Sequence, residues 1–371
     1  MHVQWESLAN EHILGIEPYE PGKPIEELER ELGIHDAIKL ASNENPLPPS
    51  PRVQKAIEAA ISQLNRYPDD SGFFLRQALA KKHGVTAEQI VLGNGSMELI
   101  ELIVHSFVTP GDEAVVPHPS FTVYPTIVQA AGAIRVMVML KDYRLDLEAM
   151  ARAITPTTKL VFIANPNNPT ATIVTGEEVE RFMARVPERT IAVFDEAYME
   201  FAQGPDFPDT VSYAKQGRKV VVLRTFSKAA SLAGLRVGYG IADADAIALM
   251  NRIRQPFNVN ALAQAAALAA LDDEAHTLEC VRMIEAGRHF LYDGFKHLGL
   301  RYVPSRANFV LVDVGRNAGV IYQRLLREGV IVRPMTSFGM ETTLRVSVGT
   351  PEENRRLIKA LQTVLTAACL T

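Results

Sequence analysis

The middle of the chain alternates between short apolar runs and longer amphipathic stretches. QIVLG, DEAVVPH, AIRVMVML, TKLVFIA, TIAVFDE and KVVVLR are rich in Val, Ile and Leu, and each reads as a strand. Between them, SMELIELIVHSFV, TVYPTIVQAAG and GEEVERFMARV carry apolar residues at helical spacing. Short buried strands alternating with amphipathic helices predict an α/β fold, with a mostly parallel sheet covered by helices on both faces. The pattern changes after about residue 275. There a long charged helix, DEAHTLECVRMIEAGRHFLYDGFKHLG, precedes NFVLVDV, GVIVRPM, LRVSVG and a last helix, which predicts a smaller α+β C-terminal domain.

The first 45 residues are polar and broken by Pro18, Pro21 and Pro24, so they read as an extended arm. Pro51 suits the first turn of a helix over PRVQKAIEAAISQLNRY. The expected division is an arm over 1–45 that packs on the small domain or on a partner subunit, a large domain over 46–275 and a small domain over 276–371.

Composition narrows the partners. A chain of 371 residues is long for one core, in keeping with two domains. The net charge of −5 leaves no basic footprint for nucleic acid. Cys280 and Cys369 make no disulfide framework, and no Cys/His cluster suggests a metal. No apolar run approaches the ~20 residues that span a bilayer, and MHVQWESLANEHILG lacks the order of a signal peptide. These features point to a cytoplasmic protein with small-molecule partners.

The polar motifs each follow a strand, and in parallel sheets ligands gather at the carboxyl ends of strands. GNGSME puts Gly95 and Ser96 at a helix start, either a phosphate cradle or a plain tight turn; Glu98 replaces the third glycine of a dinucleotide fingerprint. In HPSFTVYP, Phe121 and Tyr124 could stack on a planar cofactor or fill the core. NPNNPT makes a rigid turn whose Asn168 could donate to a phenolate oxygen. Asp195, directly after a buried strand, needs a cation such as a protonated ring nitrogen, unless it caps a turn; Tyr198 lies nearby. TFSKAASLAGLR sets Lys228 among Thr225, Ser227 and Arg236. A lysine with a pKa of ~10.4 becomes a nucleophile when burial and neighbouring cations favour the neutral amine. The hydroxyls and the arginine fork suit a phosphate.

Taken together, PYEPGKP, LASNENP, RYPD, GNGS, NPNNPT, DEAYMEF, RTFSKAASLAGLRVGYG, PFNVN, SRANFV, GVIVRP and LRVSVGT resemble the fold-type I pyridoxal-phosphate aminotransferases. Within them they are most similar to the branch whose amino donor is histidinol phosphate. The resemblance runs through nearly the whole chain. It implies pyridoxal 5'-phosphate as cofactor, with Lys228 as its Schiff-base partner and proton carrier. Asp195 would face the pyridine nitrogen, and Asn168 and Tyr198 the ring oxygen. Phe121 would stack on the ring, while Gly95, Ser96, Thr225, Ser227 and Arg236 hold the phosphate. Tyr67 matches a tyrosine that reaches the partner subunit's site, which implies a homodimer. Tyr19, Arg333 and Arg345 match substrate-binding positions, with histidinol phosphate and glutamate or 2-oxoglutarate as substrates. Aromatic amino acids as donors, or decarboxylation of a phosphorylated amino acid, are the competing reactions on this fold. Two departures stand out: Ala171 where NPTG is usual, and Met97 where GSDE is usual.

Overall fold

The structure is a computed structural model that describes residues 4–367, so Cys369 lies outside the described residues. In the arm, Ile38–Lys39 forms a short strand, β1. The apolar runs of the central region then become Ile90–Gly93 (β2), Glu113–His118 (β3), Ile134–Met139 (β4), Thr158–Ala164 (β5), Ile191–Asp195 (β6) and Val220–Thr225 (β7). Gly238–Ile241 (β8) completes a seven-stranded sheet of order β2-β8-β7-β6-β5-β3-β4. β8 is antiparallel to both of its neighbours, and the other strands run one way. Residues of β5, β6 and β7 are buried almost throughout, as expected where helices cover both faces. One apolar core lies on each face.

β8 has no signal in the hydrophobic pattern because two of its four residues, in GYGI, are glycines. Gly238 is there for space. A Cβ on it would lie 2.7 Å from the Ser96 amide nitrogen and 2.9 Å from the Gly95 carbonyl carbon. The strand and the turn after β2 therefore press together backbone to backbone.

The C-terminal region forms Arg301–Val303 (β9), Phe309–Asp313 (β10), Val330–Ile331 (β11), Arg333–Pro334 (β12) and Thr343–Ser347 (β13). Four of these make an antiparallel sheet of order β12-β13-β10-β9. The helices Glu274–His297 and Pro351–Ala367 pack with it around a third core.

The arm departs from the extended form expected of it. Ile25–Leu32 is a helix that buries Leu28, with Glu26 and Glu27 in its first turn and Gly33 at its end in the left-handed conformation. The prolines precede this helix rather than interrupt it, and Ile25, Leu28 and Leu32 recur at helical spacing. β1 pairs in parallel with β11, Ile38 opposite Val330, so the arm is stitched to the small sheet. The helix after Pro51 stops at Ile61, short of Tyr67, and Ser50 caps it by accepting from the Val53 amide.

Gly238→Ala should lower the unfolding free energy by ~1–3 kcal/mol, the usual cost of overpacking. Urea melts of the two proteins at equal m-value measure it, and an unchanged midpoint would show that the turn can move aside.

Candidate active site

Asp195 ends β6 and is 6% exposed. Its Oδ2 accepts from the Tyr124 hydroxyl at 2.7 Å, and its Oδ1 from the Ala197 amide at 3.2 Å. Burial pushes its pKa up, more than these two donors hold it down. Tyr124 is fully buried, stacked on Phe162 at 4.7 Å, with Phe121 edge-on at 5.5 Å. Of the pair in HPSFTVYP, Phe121 therefore borders the cavity as a ring surface. Tyr124 serves Asp195, a role the spacing did not reveal.

The doubled asparagines of NPNNPT divide their work. The Asn165 side chain bonds both ways with the Val174 backbone, at 3.1 and 3.0 Å. Asn167 accepts from the Ser120 hydroxyl at 2.7 Å and donates to Thr170 at 2.8 Å. With the loop so tied, Asn168 is left at the cavity wall, where its Oδ1 accepts from Arg345 Nη1 at 2.6 Å. Ala171 sits at φ 58, the left-handed region in which glycine is free of strain, which explains why a glycine is usual there. Arg345 is 7% exposed, and its other fork nitrogen donates to the Ala41 carbonyl at 2.6 Å. Its Nε is buried with no partner among the described residues, and burial pushes its pKa down. A buried guanidinium with an open N–H asks for an anion.

On the other side of the cavity, Gly95 takes φ 79 and leads into the helix Ser96–Phe107, whose N-cap has no side-chain bond. A Cβ on Gly95 would lie 2.4 Å from Arg236 Nη2. Thr225 Oγ1 donates to Ser227 Oγ at 2.9 Å, and Arg236 Nη1 reaches the same oxygen at 3.4 Å. Hydroxyls, a guanidinium and free helix amides thus converge, as an anion site requires. Glu98 fastens the turn from behind by accepting from the Asn94 amide and from Asn258, both at 2.6 Å.

Lys228 stands between these groups. Its Nζ donates to the Ser42 carbonyl at 3.3 Å and lies 5.5 Å from the centre of the Tyr198 ring. Burial, then the Arg345 charge, pushes its pKa down to about 8; Arg236 adds to the shift, and Glu44 and Asp195 oppose it. The Tyr198 hydroxyl accepts from Asn43 Nδ2 at 3.0 Å. Asn43 is fixed in turn by its backbone amide, which donates to Ser347 Oγ at 2.8 Å. The sequence reading missed Asn43, although it lies within the LASNENP motif.

One cavity of about 210 Å³ is lined by the ring-side groups, the anion-side hydroxyls with Arg236, Lys228 and Arg345. Tyr19, 62% exposed, and Met97 also line it. Arg333 does not. Its guanidinium lies over the Tyr19 ring, 5.7 Å from the ring centre, and Arg333 stands opposite Arg345 in the register of β12 and β13. Tyr67 is also outside, 81% exposed and stacked on Phe257 at 4.6 Å.

An amine of lowered pKa, a buried carboxylate and two anion sites in one chamber define an enzyme that handles amino groups. Residues 35–361 match the family Aminotransferase class I and II, and the chain belongs to it. It is 48% identical over 358 residues to the histidinol-phosphate aminotransferase of Moorella thermoacetica, covering 96% of this chain and 93% of that one. It is 49% identical to histidinol-phosphate aminotransferase 2 of Pseudomonas aeruginosa, covering 97% and 98%. Among solved structures, the histidinol-phosphate aminotransferase of Sinorhizobium meliloti in complex with pyridoxal-5'-phosphate matches with TM-score 0.89 and 31% identity over 98% of each chain. The aspartate aminotransferase of Thermus thermophilus with maleate matches with TM-score 0.82 and 26% identity, over 92% of this chain and 97% of that one.

Competitive labelling of the cofactor-free protein with acetic anhydride, read by peptide mass spectrometry, should give Lys228 a midpoint near pH 8. Arg345→Ala should raise that midpoint, because a cation that disfavours the ammonium is gone. A midpoint at the ~10.4 of free lysine would remove the amine from consideration as a nucleophile near neutrality.

Proposed function

We propose that the chain transfers the amino group of histidinol phosphate to 2-oxoglutarate, giving glutamate, with pyridoxal phosphate as cofactor. The observation that carries this reading is the placement of Lys228, with its pKa lowered to about 8, in the same cavity as Asp195 and Arg345. Relatives at 48–49% identity support the donor, since their shared name specifies it. The aspartate aminotransferase neighbour shares the fold, so the fold alone does not choose the substrate.

The residues present fit the cofactor. A Cβ on Gly95 would strike the Arg236 guanidinium, so only glycine lets that side chain lie against the turn, and the helix start at Ser96 has no side-chain cap. With Thr225, Ser227 and Arg236 they would hold the phosphate. Asp195, whose burial calls for a cation, would hold the pyridinium nitrogen. Tyr198 and the Asn168 amide would meet the ring oxygen, and Phe121 would cover the ring. Once bound, pyridoxal phosphate supplies an aldehyde that takes up the amine and a ring that accepts the electron pair left when the donor's carbon loses its proton.

The protein does the rest. Lys228 Nζ would take that proton and return it two atoms along, on the far side of the transferred nitrogen, and a pKa of about 8 suits it to both directions. The Ser42 carbonyl orients Nζ. Arg345, at the cavity wall, would receive the carboxylate of glutamate or the phosphate of the donor. Arg333 and Tyr19, next to each other at the outer mouth, would receive the donor's phosphate. The reading also takes residues 46–275 as the cofactor lobe, 276–371 as the small lobe, and the cytoplasm as the place of work. It takes the active form as a homodimer in which Tyr67 reaches the partner's cavity. Tyr67, Phe73 and Phe74 are exposed apolar side chains that such an interface would cover.

A panel of single donors tests the assignment. Histidinol phosphate and glutamate should each bleach the holoenzyme's visible absorbance, and phenylalanine and tyrosine should do so far more slowly. Faster bleaching by the aromatic donors would transfer the assignment to them, and carbon dioxide release without a keto acid would make the enzyme a decarboxylase.

Arg345→Ala should weaken both glutamate and histidinol phosphate, by a factor on the order of 100 for glutamate, as truncation of a buried charge contact costs ~2–5 kcal/mol. Unchanged half-reactions would defeat its role. Lys228→Ala should still bind the cofactor and fail to turn over, and wild-type turnover would sink the proton carrier.

A further inference from the structure

Behind the strands that carry Asp195 and Thr225 lies a buried ion pair that the chemistry above does not use. Side chains alternate across a strand, so Glu196 and Arg224, each adjacent to one of those residues, point to the opposite face of the sheet. The Glu196 side chain is fully buried and that of Arg224 is 11% exposed. Arg224 Nε and Nη2 both donate to Glu196 Oε2, at 3.0 and 2.8 Å. The Thr210 hydroxyl donates to Glu196 Oε1. Arg224 Nη1 approaches His83 Nδ1 at 3.3 Å, and His83 Nε2 lies 3.0 Å from the Tyr239 hydroxyl. An arginine only donates, so Nδ1 accepts and the ring proton sits on Nε2. Burial pushes the His83 pKa down to about 3, which keeps the ring neutral and the chain of bonds intact.

The position of this pair matters more than its charge. The paired register of β6 and β7 ends at Asp195 opposite Leu223, followed by one bond from the Glu196 amide to the Leu223 carbonyl at 2.9 Å. Beyond it the strands part to form the crevice. Glu196 and Arg224 join the two strands at that point. A buried ion pair is poor at stabilising a fold, because desolvation offsets its attraction and apolar replacements of equal volume are often as stable or more so. What it does well is fix geometry.

We propose that the Glu196–Arg224 pair is a positioning unit for the cofactor. It sets the distance between Asp195, at the ring nitrogen, and Thr225, at the phosphate, by holding β6 and β7 together where they diverge. The proposal rests on the roles given to those two residues above.

The test is a titration of the cofactor-free protein with pyridoxal phosphate, followed by absorbance, with melting temperatures taken with and without cofactor. The double variant Glu196→Leu/Arg224→Met removes both charges of the pair, and the buried Glu200 carboxylate near Arg224, whose pKa burial already pushes up to about 7, is left to take up a proton. Its cofactor-free melting temperature should match or exceed the wild type. Its affinity for pyridoxal phosphate should fall on the order of tenfold, and the cofactor-induced rise in melting temperature should shrink. A merely structural pair would lower both melting temperatures together and leave that rise unchanged. Arg224→Lys, which keeps the charge and loses the fork, should fall between, and it decides the matter should the double variant not fold. Wild-type affinity in a folded double variant, or in Arg224→Lys when only that one folds, overturns the proposal. Asp195→Ala is titrated alongside. If it binds the cofactor as the wild type does, the role of Asp195 fails, and the positioning proposal fails with it.

Discussion

The carboxylate of Asp195 lies at the end of a parallel strand with water almost excluded, and its charge must be answered from within the molecule. Tyr124 and the Ala197 amide answer part of it. The remainder dictates what the cavity can hold, namely a ligand that presents a positive or protonated nitrogen. Much of the surrounding architecture follows from that demand. Burial deep enough to raise the Asp195 pKa is also deep enough to lower that of Lys228 and to strand the Arg345 Nε. One low-dielectric chamber thus prepares an acceptor, an amine of lowered pKa and an anion site at the same time. The same seclusion would be costly for any one of these groups alone.

The parallel sheet makes this chamber possible. Loops after β3 and β5, the end of β6 and the loop after β7 all open on one side, and β8, though reversed, delivers Gly238 to the back of the anion-binding turn. These loops are tied by side-chain bonds to backbone and to neighbouring loops. Asn165 and Asn167 hold one loop, and Glu98 holds another. The side chains proposed to meet the substrate, Tyr19, Arg333 and Arg345, come from elsewhere, from the arm and the small sheet. On that reading chemistry and substrate choice reside on different parts of the chain, which accords with one fold serving both histidinol-phosphate and aspartate aminotransferases.

Sequence pattern exposed the strands and the motifs at their ends, because apolar runs buried on both faces are distinctive and polar residues directly after them have few structural excuses. It was weakest where partners are distant along the chain. Nothing local marks Tyr124 as the donor to Asp195, or Asn43 as the donor to Tyr198, since both bonds join segments far apart. Prolines concealed the helix Ile25–Leu32, and glycines concealed β8. Arg333 was grouped with Arg345, yet of the two only Arg345 lines the cavity, while Arg333 lies against Tyr19. The doubled asparagine made sense only when each amide could be followed to its acceptor.

The pairing of β1 with β11 bears on how the enzyme comes into being. Ile38 leaves the ribosome about 290 residues before its partner Val330. The segment just after β1 supplies the Ser42 carbonyl to Lys228 and Asn43 to Tyr198. Closing so long a loop is slow, and it has to wait for most of the polypeptide. The sheet that carries Asp195 and Lys228 can assemble beforehand, but the wall supplied by the arm arrives last. Nascent or truncated chains would then hold a lysine without its orienting carbonyl, and catalytic competence would begin only when these two distant segments have met.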